Sequence, residues 1–177
     1  HNLGVGYSDR VKGNKVENIE LAIEYLNAKL QVHTQKDYPY EWALTLKNLA
    51  AVYMERIRGK KQANLELAID FAAKSSTIFN RENYPNDWAE TQGNLGSAYK
   101  LLFKERDDSD LKQRAKNLEK AIEHLDNANQ IFQRNGNLKS WAINQFELGT
   151  CYKDIGYVCS INREENLEKA IECYRNA

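Results

Sequence analysis

Asparagine stands at three matched points of the chain, Asn2, Asn48 and Asn94, at a constant interval of 46 residues. A primary amide offers a donor and an acceptor together, the pair that can grip an extended peptide backbone whatever its side chains. The asparagines belong to polar stripes with spacing i, i+4, i+7 and i+11, which places each stripe on one face of a helix. The stripes are Leu44, Asn48, Ala51 and Glu55, then Glu90, Asn94, Ser97 and Leu101, then Ile143, Glu147, Thr150 and Asp154. The candidate peptide-binding set is therefore Asn2, Leu44, Lys47, Asn48, Glu55, Glu90, Asn94, Ser97 and Glu147. Glu147 interrupts the asparagine series. The same asparagines could instead brace neighbouring helices, or recur only because a module was duplicated.

Other reactive side chains are not grouped for catalysis. His1, His33 and His124 are far apart and match neither a metal-ligand spacing nor a nucleophile and base pair. Cys151, Cys159 and Cys173 include no C-x-x-C pair, and an odd count argues against a closed disulfide framework. A reducing, cytoplasmic setting is the resulting expectation. His124 shares its register with Tyr25, Phe71 and Cys173, so a packed ring is expected there. Cys151 matches Val52 and Ala98 and reads as a small core residue. There is no glycine-rich phosphate loop. The sequence predicts no catalytic residue, no metal site and no cofactor.

Two interleaved blocks must position the stripes. Trp42-Ala-Leu-Thr-Leu-Lys-Asn-Leu-Ala-Ala-Val-Tyr53 recurs as Trp88-Ala-Glu-Thr-Gln-Gly-Asn-Leu-Gly-Ser-Ala-Tyr99, then from Trp141 to Tyr152, with Asn2 to Tyr7 as a partial copy. The second block begins Asn18-Ile-Glu, Asn64-Leu-Glu, Asn117-Leu-Glu and Asn166-Leu-Glu. Leu46, Leu49, Ala50 and Tyr53 fall at i, i+3, i+4 and i+7, which predicts a helix A; Leu65, Ala68, Ile69 and Ala72 predict a helix B. Asn64 is the expected N-cap of helix B. Gly13, Gly59 and Gly156 are expected to end helix A, and Pro39 and Pro85 to begin it.

Small residues mark expected close crossings: Gly4, Ala50, Gly96 and Gly149 on helix A, with Ala22, Ala68, Ala121 and Ala170 on helix B. Trp42, Trp88 and Trp141, with Tyr53, Tyr99 and Tyr152, are expected to fill the layers between repeats. The interval widens to 53 residues between Asn64 and Asn117. The surplus falls in the charged stretch 104–116, read as a longer connection or an extension of helix A, with a solvated face as its simplest role.

Composition narrows the partners. The chain has 25 basic and 25 acidic residues among 177, so no global field favours nucleic acid or anionic lipid. Only two prolines and nine glycines punctuate it, which suits long helices. No apolar run approaches the roughly 18 residues of a membrane span.

Leu95-Gly96-x-x-Tyr99, Leu148-Gly149-x-x-Tyr152, Leu3-Gly4-x-x-Tyr7 and Leu49-Ala50-x-x-Tyr53, each followed by a helix B alanine, resemble the tetratricopeptide repeat along the whole chain. The period is longer than the common 34-residue form. It is similar to kinesin light chain arrays and, through W-A-x-T-x-x-N-L-G and N-L-E-x-A-I, to bacterial and especially cyanobacterial arrays, often fused to caspase-like CHAT or nucleotide-switch domains. No residue of those domains is present. The resemblance implies an all-α, right-handed α-solenoid of antiparallel helix pairs, a superhelix of about seven to eight helices forming one array over 1–177. Its approximate repeats are 1–37, 38–83, 84–136 and 137–177. It also implies peptide binding on the concave helix A face, with Asn48 and Asn94 resembling peptide-gripping asparagines. A clamp for acidic C-termini does not fit, because Lys47, Lys100 and Lys153 are opposed by Glu55, Glu90, Glu147 and Asp154.

The expected function is a protein or peptide docking scaffold without enzymatic activity, within a larger signalling or regulatory protein. The alternative is a structural spacer or self-assembling segment. His1 is not an initiator methionine, and the sequence opens inside one helix motif and closes inside another. A segment of a longer array, able to stack head to tail through its end faces, is thus expected.

Overall fold

A computed structural model describes residues 14–105, 110–158 and 162–177. Among them are seven helices and no strand: α1 (Lys15–Val32), α2 (Pro39–Glu55), α3 (Lys61–Ser75), α4 (Pro85–Glu105), α5 (Leu111–Arg134), α6 (Leu138–Val158) and α7 (Arg163–Asn176). Each helix packs on the next, and in addition α2 meets α4 and α4 meets α6. Neighbours run antiparallel. Lys61 at the start of α3 donates to the carbonyl of Met54 near the end of α2, while Ser75 Oγ at the other end donates to Ala43 O at 2.9 Å. No helix among the described residues is long and apolar enough to cross a membrane.

The helix starts have local causes. Pro39 and Pro85 open α2 and α4, where the missing amide hydrogen has no partner to lose. Asn14 and Asp110 cap α1 and α5 by accepting from Val16 N at 3.0 Å and Gln113 N at 3.2 Å.

Two expected boundary roles are corrected. Asn64 is not an N-cap: Lys60 holds that position and Asn64 lies one turn inside α3, nearly fully buried. Its amide nitrogen donates backwards to Arg58 O at 2.9 Å and Arg56 O at 3.4 Å, tying down the chain that leaves α2. Gly156 does not end helix A. It lies inside α6 facing the start of α7, where a Cβ would stand in ordinary contact, 3.5 Å from Arg163 O and Asn166 Cβ. Gly59 does occupy the left-handed region, with φ +83°, in the turn after α2. Gly13 and Gly4 lie outside the described residues.

The long interval of the third repeat goes into helix. α4 has 21 residues against 17 in α2, and α5 has 24 against 15 in α3. Around residues 106–109, α4 runs four residues further past Asn94 than α2 runs past Asn48, and α5 starts three residues further ahead of Asn117 than α3 does ahead of Asn64, which makes up the surplus of seven. The other six extra residues of α5 lie at its C-terminal end.

Ala22, Ala68, Ala121 and Ala170 are buried as close-crossing residues should be, and Tyr53 is buried with them. Leu26, Leu49, Leu118 and Leu125 fill the layers. Trp42, Trp88 and Trp141 are half-buried: each leans on a core cluster, Trp88 and Trp141 together on Ala128, Ile131 and Phe132, with an edge left to solvent. Tyr99 and Tyr152 are likewise partly buried against the Leu118 and Leu125 cluster.

The tightest crossing is at Gly96, where an added Cβ would lie 2.5 Å from Leu125 Cγ and 3.1 Å from the backbone oxygen of Ala121. The side chain has room to retreat only into the packed core, and the carbonyl has none. Gly96→Ala should therefore cost about 1–3 kcal/mol by overpacking despite its better helix propensity. Urea denaturation would show it as a lower midpoint, and an unchanged or raised midpoint would show that the helices separate at little cost.

Candidate functional site

The successive helices α2, α4 and α6 present their polar stripes side by side. Between them lies a cleft of about 380 Å³, lined by Asn48 and Ala51 of α2, Glu90, Gly93, Asn94 and Ser97 of α4, and Ser140, Ile143 and Asn144 of α6, with Lys47 and Phe132 at its edge. Of the residues selected from sequence, Lys47, Asn48, Glu90, Asn94 and Ser97 meet here. Three others do not. Leu44 is half-buried away from the cleft, and Glu55 is exposed and pairs with Lys15 at 3.3 Å. Glu147 is ion-paired with Lys100, bridging α6 to α4 outside the cleft. Asn2 lies outside the described residues.

The two described asparagines of the ladder differ. Asn94 Nδ2 donates to Lys47 O at 3.4 Å, a long bond that links α4 to the backbone of α2. Asn48 is nine-tenths buried, and its amide nitrogen has no hydrogen-bond partner. A buried donor without an acceptor costs about 1–3 kcal/mol, so the position is primed for a carbonyl or carboxylate oxygen.

Lys47 sets the electrostatics at the rim. Its side chain is only 8% exposed, and its ammonium donates to Asp87 Oδ1 at 2.7 Å and Glu90 Oε2 at 2.6 Å. Burial pulls its pKa down, yet the hydrogen bonds and charges of both carboxylates outweigh that and hold it above the ordinary lysine value. Asp87 also accepts from the Tyr40 hydroxyl at 3.2 Å, and burial together with the Asp87 charge raises the Tyr40 pKa. The cation faces two anions, so the rim carries an excess negative charge.

Asp87, Ser140 and Phe132 were not selected from sequence, although a signal existed. Asp87 and Ser140 share with Glu41 the position just before each tryptophan, and Phe132 shares with Phe79 the end of an Ile-Phe pair eleven residues after the helix B alanines Ala121 and Ala68.

His124 and Cys151 are built into packing. The His124 ring stacks on Tyr99 with centroids 5.6 Å apart and 4° between planes, its Nδ1 2.8 Å from Gln92 Oε1, and burial lowers its pKa. Burial pushes the Cys151 thiol up to about 12, so it carries no thiolate at neutral pH. Cys159 lies outside the described residues. No group of three or more His, Cys, Asp or Glu side chains with metal-binding geometry occurs among the described residues.

Comparison with protein-family models finds no match for this chain, and none of the curated proteins matches it.

Proposed function

We propose that this chain is a right-handed α-solenoid of tetratricopeptide-like helix pairs that docks an extended segment of a partner protein across α2, α4 and α6. The observation that carries this reading is the unpartnered amide of Asn48, buried in a polar cleft beside Asn94, Ser97 and Glu90. A main-chain carbonyl of an extended peptide is the acceptor that such a donor lacks. Ile143, 56% exposed on the opposite wall, offers an apolar contact next to it. The role is non-catalytic, in keeping with the packed His124 and the un-ionised Cys151.

Panning a displayed random-peptide library on the immobilised protein tests the reading. Enriched peptides should bind Asn48→Ala more weakly by about 1–3 kcal/mol. The melting temperature should not fall, because the amide nitrogen makes no internal bond to lose and its burial without an acceptor is itself destabilising. No enrichment, or peptides indifferent to Asn48, would overturn it.

A spacer without a dedicated ligand is the second reading, and one observation favours it. Asn94 and Glu147 both serve as ties between successive A helices, Asn94 to Lys47 O and Glu147 to Lys100. Failure of the peptide selection would leave that reading standing.

A further inference from the structure

The internal repeat allows one site to be read against another. In the α4–α5 pair, the His124 ring fills the gap between Gln92 and Tyr99: it stacks on the tyrosine, and its Nδ1 lies 2.8 Å from the glutamine Oε1. Lys120, one turn before His124, sits 4.8 Å from the centre of the Tyr99 ring. In the α6–α7 pair, the matched positions are Gln145, Tyr152 and Lys169, all retained, while Cys173 stands where the histidine was.

The frame for the ring persists and the ring does not. A thiol is far smaller than an imidazole, and Gln145, Tyr152, Lys169 and Cys173 all line a cavity of about 430 Å³ between α5, α6 and α7. Tyr152 keeps its cation partner, with Lys169 Nζ 5.7 Å from the ring centre.

The wall contributed by α5 has changed in a complementary way. Asp126 occupies the register of Ala73, and Asn129 that of Ser76. Both line the cavity. Asn129 is 8% exposed, and its Oδ1 accepts no hydrogen bond. The Asp126 carboxylate accepts only a long 3.5 Å bond from the Tyr152 hydroxyl, and burial pushes its pKa up. Lys169, the cation at this site, already donates to Glu165 at 2.7 Å. The cavity thus joins an aromatic face to two under-used acceptors, the unpaired Asn129 oxygen and a part-buried Asp126 carboxylate whose nearby positive charge is that of Lys169, itself hydrogen-bonded to Glu165.

We propose that this cavity binds an imidazolium group, with its ring on Tyr152 and its two N–H groups directed to Gln145 and to the Asp126 side of the cavity. A neutral imidazole has one donor and one acceptor, whereas the protonated ring has two donors, which suits a site whose open groups are acceptors. The charge meets Asp126, and the flat face meets the tyrosine. The site lies on the side of the molecule built by α5 and α7, apart from the α2, α4 and α6 cleft, and does not depend on the function proposed for that cleft.

The test is an NMR titration of the full chain at about pH 6, where an ordinary imidazole is largely protonated. Two probes distinguish the sources of the ring: histamine stands for a free amine, and Nα-acetylhistidine methylamide for a histidine carried by a partner chain. Saturable shifts of the Trp141 indole N–H and the Gln145 side-chain amide are expected with at least one, and the tighter binder identifies the source. Methylammonium should bind at least about tenfold more weakly, for want of the ring. Cys173→His should abolish binding by supplying the ring internally, and Asp126→Asn should weaken it about tenfold. Absence of saturable shifts with both probes, equal binding of methylammonium, or a folded Cys173→His that still binds would each overturn the proposal. Should Cys173→His fail to fold, unchanged binding by Asp126→Asn would overturn it in the same way.

Discussion

Phe79→Ala is expected to unfold the α3–α4 junction more easily than any single surface change, by about 3–5 kcal/mol. Phe79 is fully buried although it lies outside any helix, in the connection after Ser75. Its ring packs edge-on to Tyr40 at 5.3 Å and to Tyr84 at 5.6 Å, and those two tyrosines are 5.4 Å from each other. Lys47 Nζ lies 5.6 Å from the same ring. Truncation would leave a void among three elements that cannot all collapse inward, since Asn80 pins the following turn by accepting from Glu82 N and Asn83 N. For a chain of this length the loss corresponds to a fall in melting temperature on the order of 10 °C. Ile57→Ala is the control: Ile57 is 57% exposed, and its truncation should change stability by no more than about 0.5 kcal/mol. A Phe79→Ala melting curve overlying that control would mean that the junction does not hold the pair together.

The helical class was legible because the repeated blocks carry one apolar face each, so that Leu46, Leu49, Ala50 and Tyr53 announce their own period. Proline at the helix starts was legible for the same reason, since its constraint is local. What escaped was decided by partners distant in sequence. Asn64 looks like a cap because capping is the commonest use of asparagine before an apolar run, but its amide is claimed by carbonyls six and eight residues back. Gly156 looks like a stop, yet the helix runs through it to Val158, its Cα side facing the start of α7 at ordinary contact distance. The candidate site was half legible. Periodicity brought Asn48, Asn94 and Ser97 to one face, but it could not tell that Asn94 spends its donor on Lys47 O while Asn48 keeps its own unused. Nor could it pair Lys47 with Asp87, 40 residues away.

That pairing yields the second large expectation. Lys47 is a nearly fully buried ammonium whose charge is tolerated because Asp87 and Glu90 both accept from it. Removing both acceptor charges in Asp87→Asn/Glu90→Gln leaves similar shapes but an uncompensated buried cation, a loss of about 3–5 kcal/mol for a buried pair. Glu90 is half-exposed, so most of the effect should come from Asp87 and the single Glu90→Gln change should cost no more than about 1 kcal/mol. Adding Lys47→Met to the double variant should restore much of the loss, since an apolar side chain of similar length leaves no charge to satisfy. The pH dependence has a definite sign. The folded pKa of Lys47 is raised above its ordinary 10.5, so the stabilisation is complete below that value and is lost as pH rises through the folded pKa. Denaturation midpoints of the wild type should hold from neutral pH up to the ordinary lysine range and fall above it, while Lys47→Met should lack that alkaline component. Because Lys47 ties α2 to α4 at the edge of the cleft, the double variant should also loosen the register of Asn48 against Asn94. A double variant as stable as the wild type would show that Lys47 swings out to water, and the cleft would then lose its rigid rim.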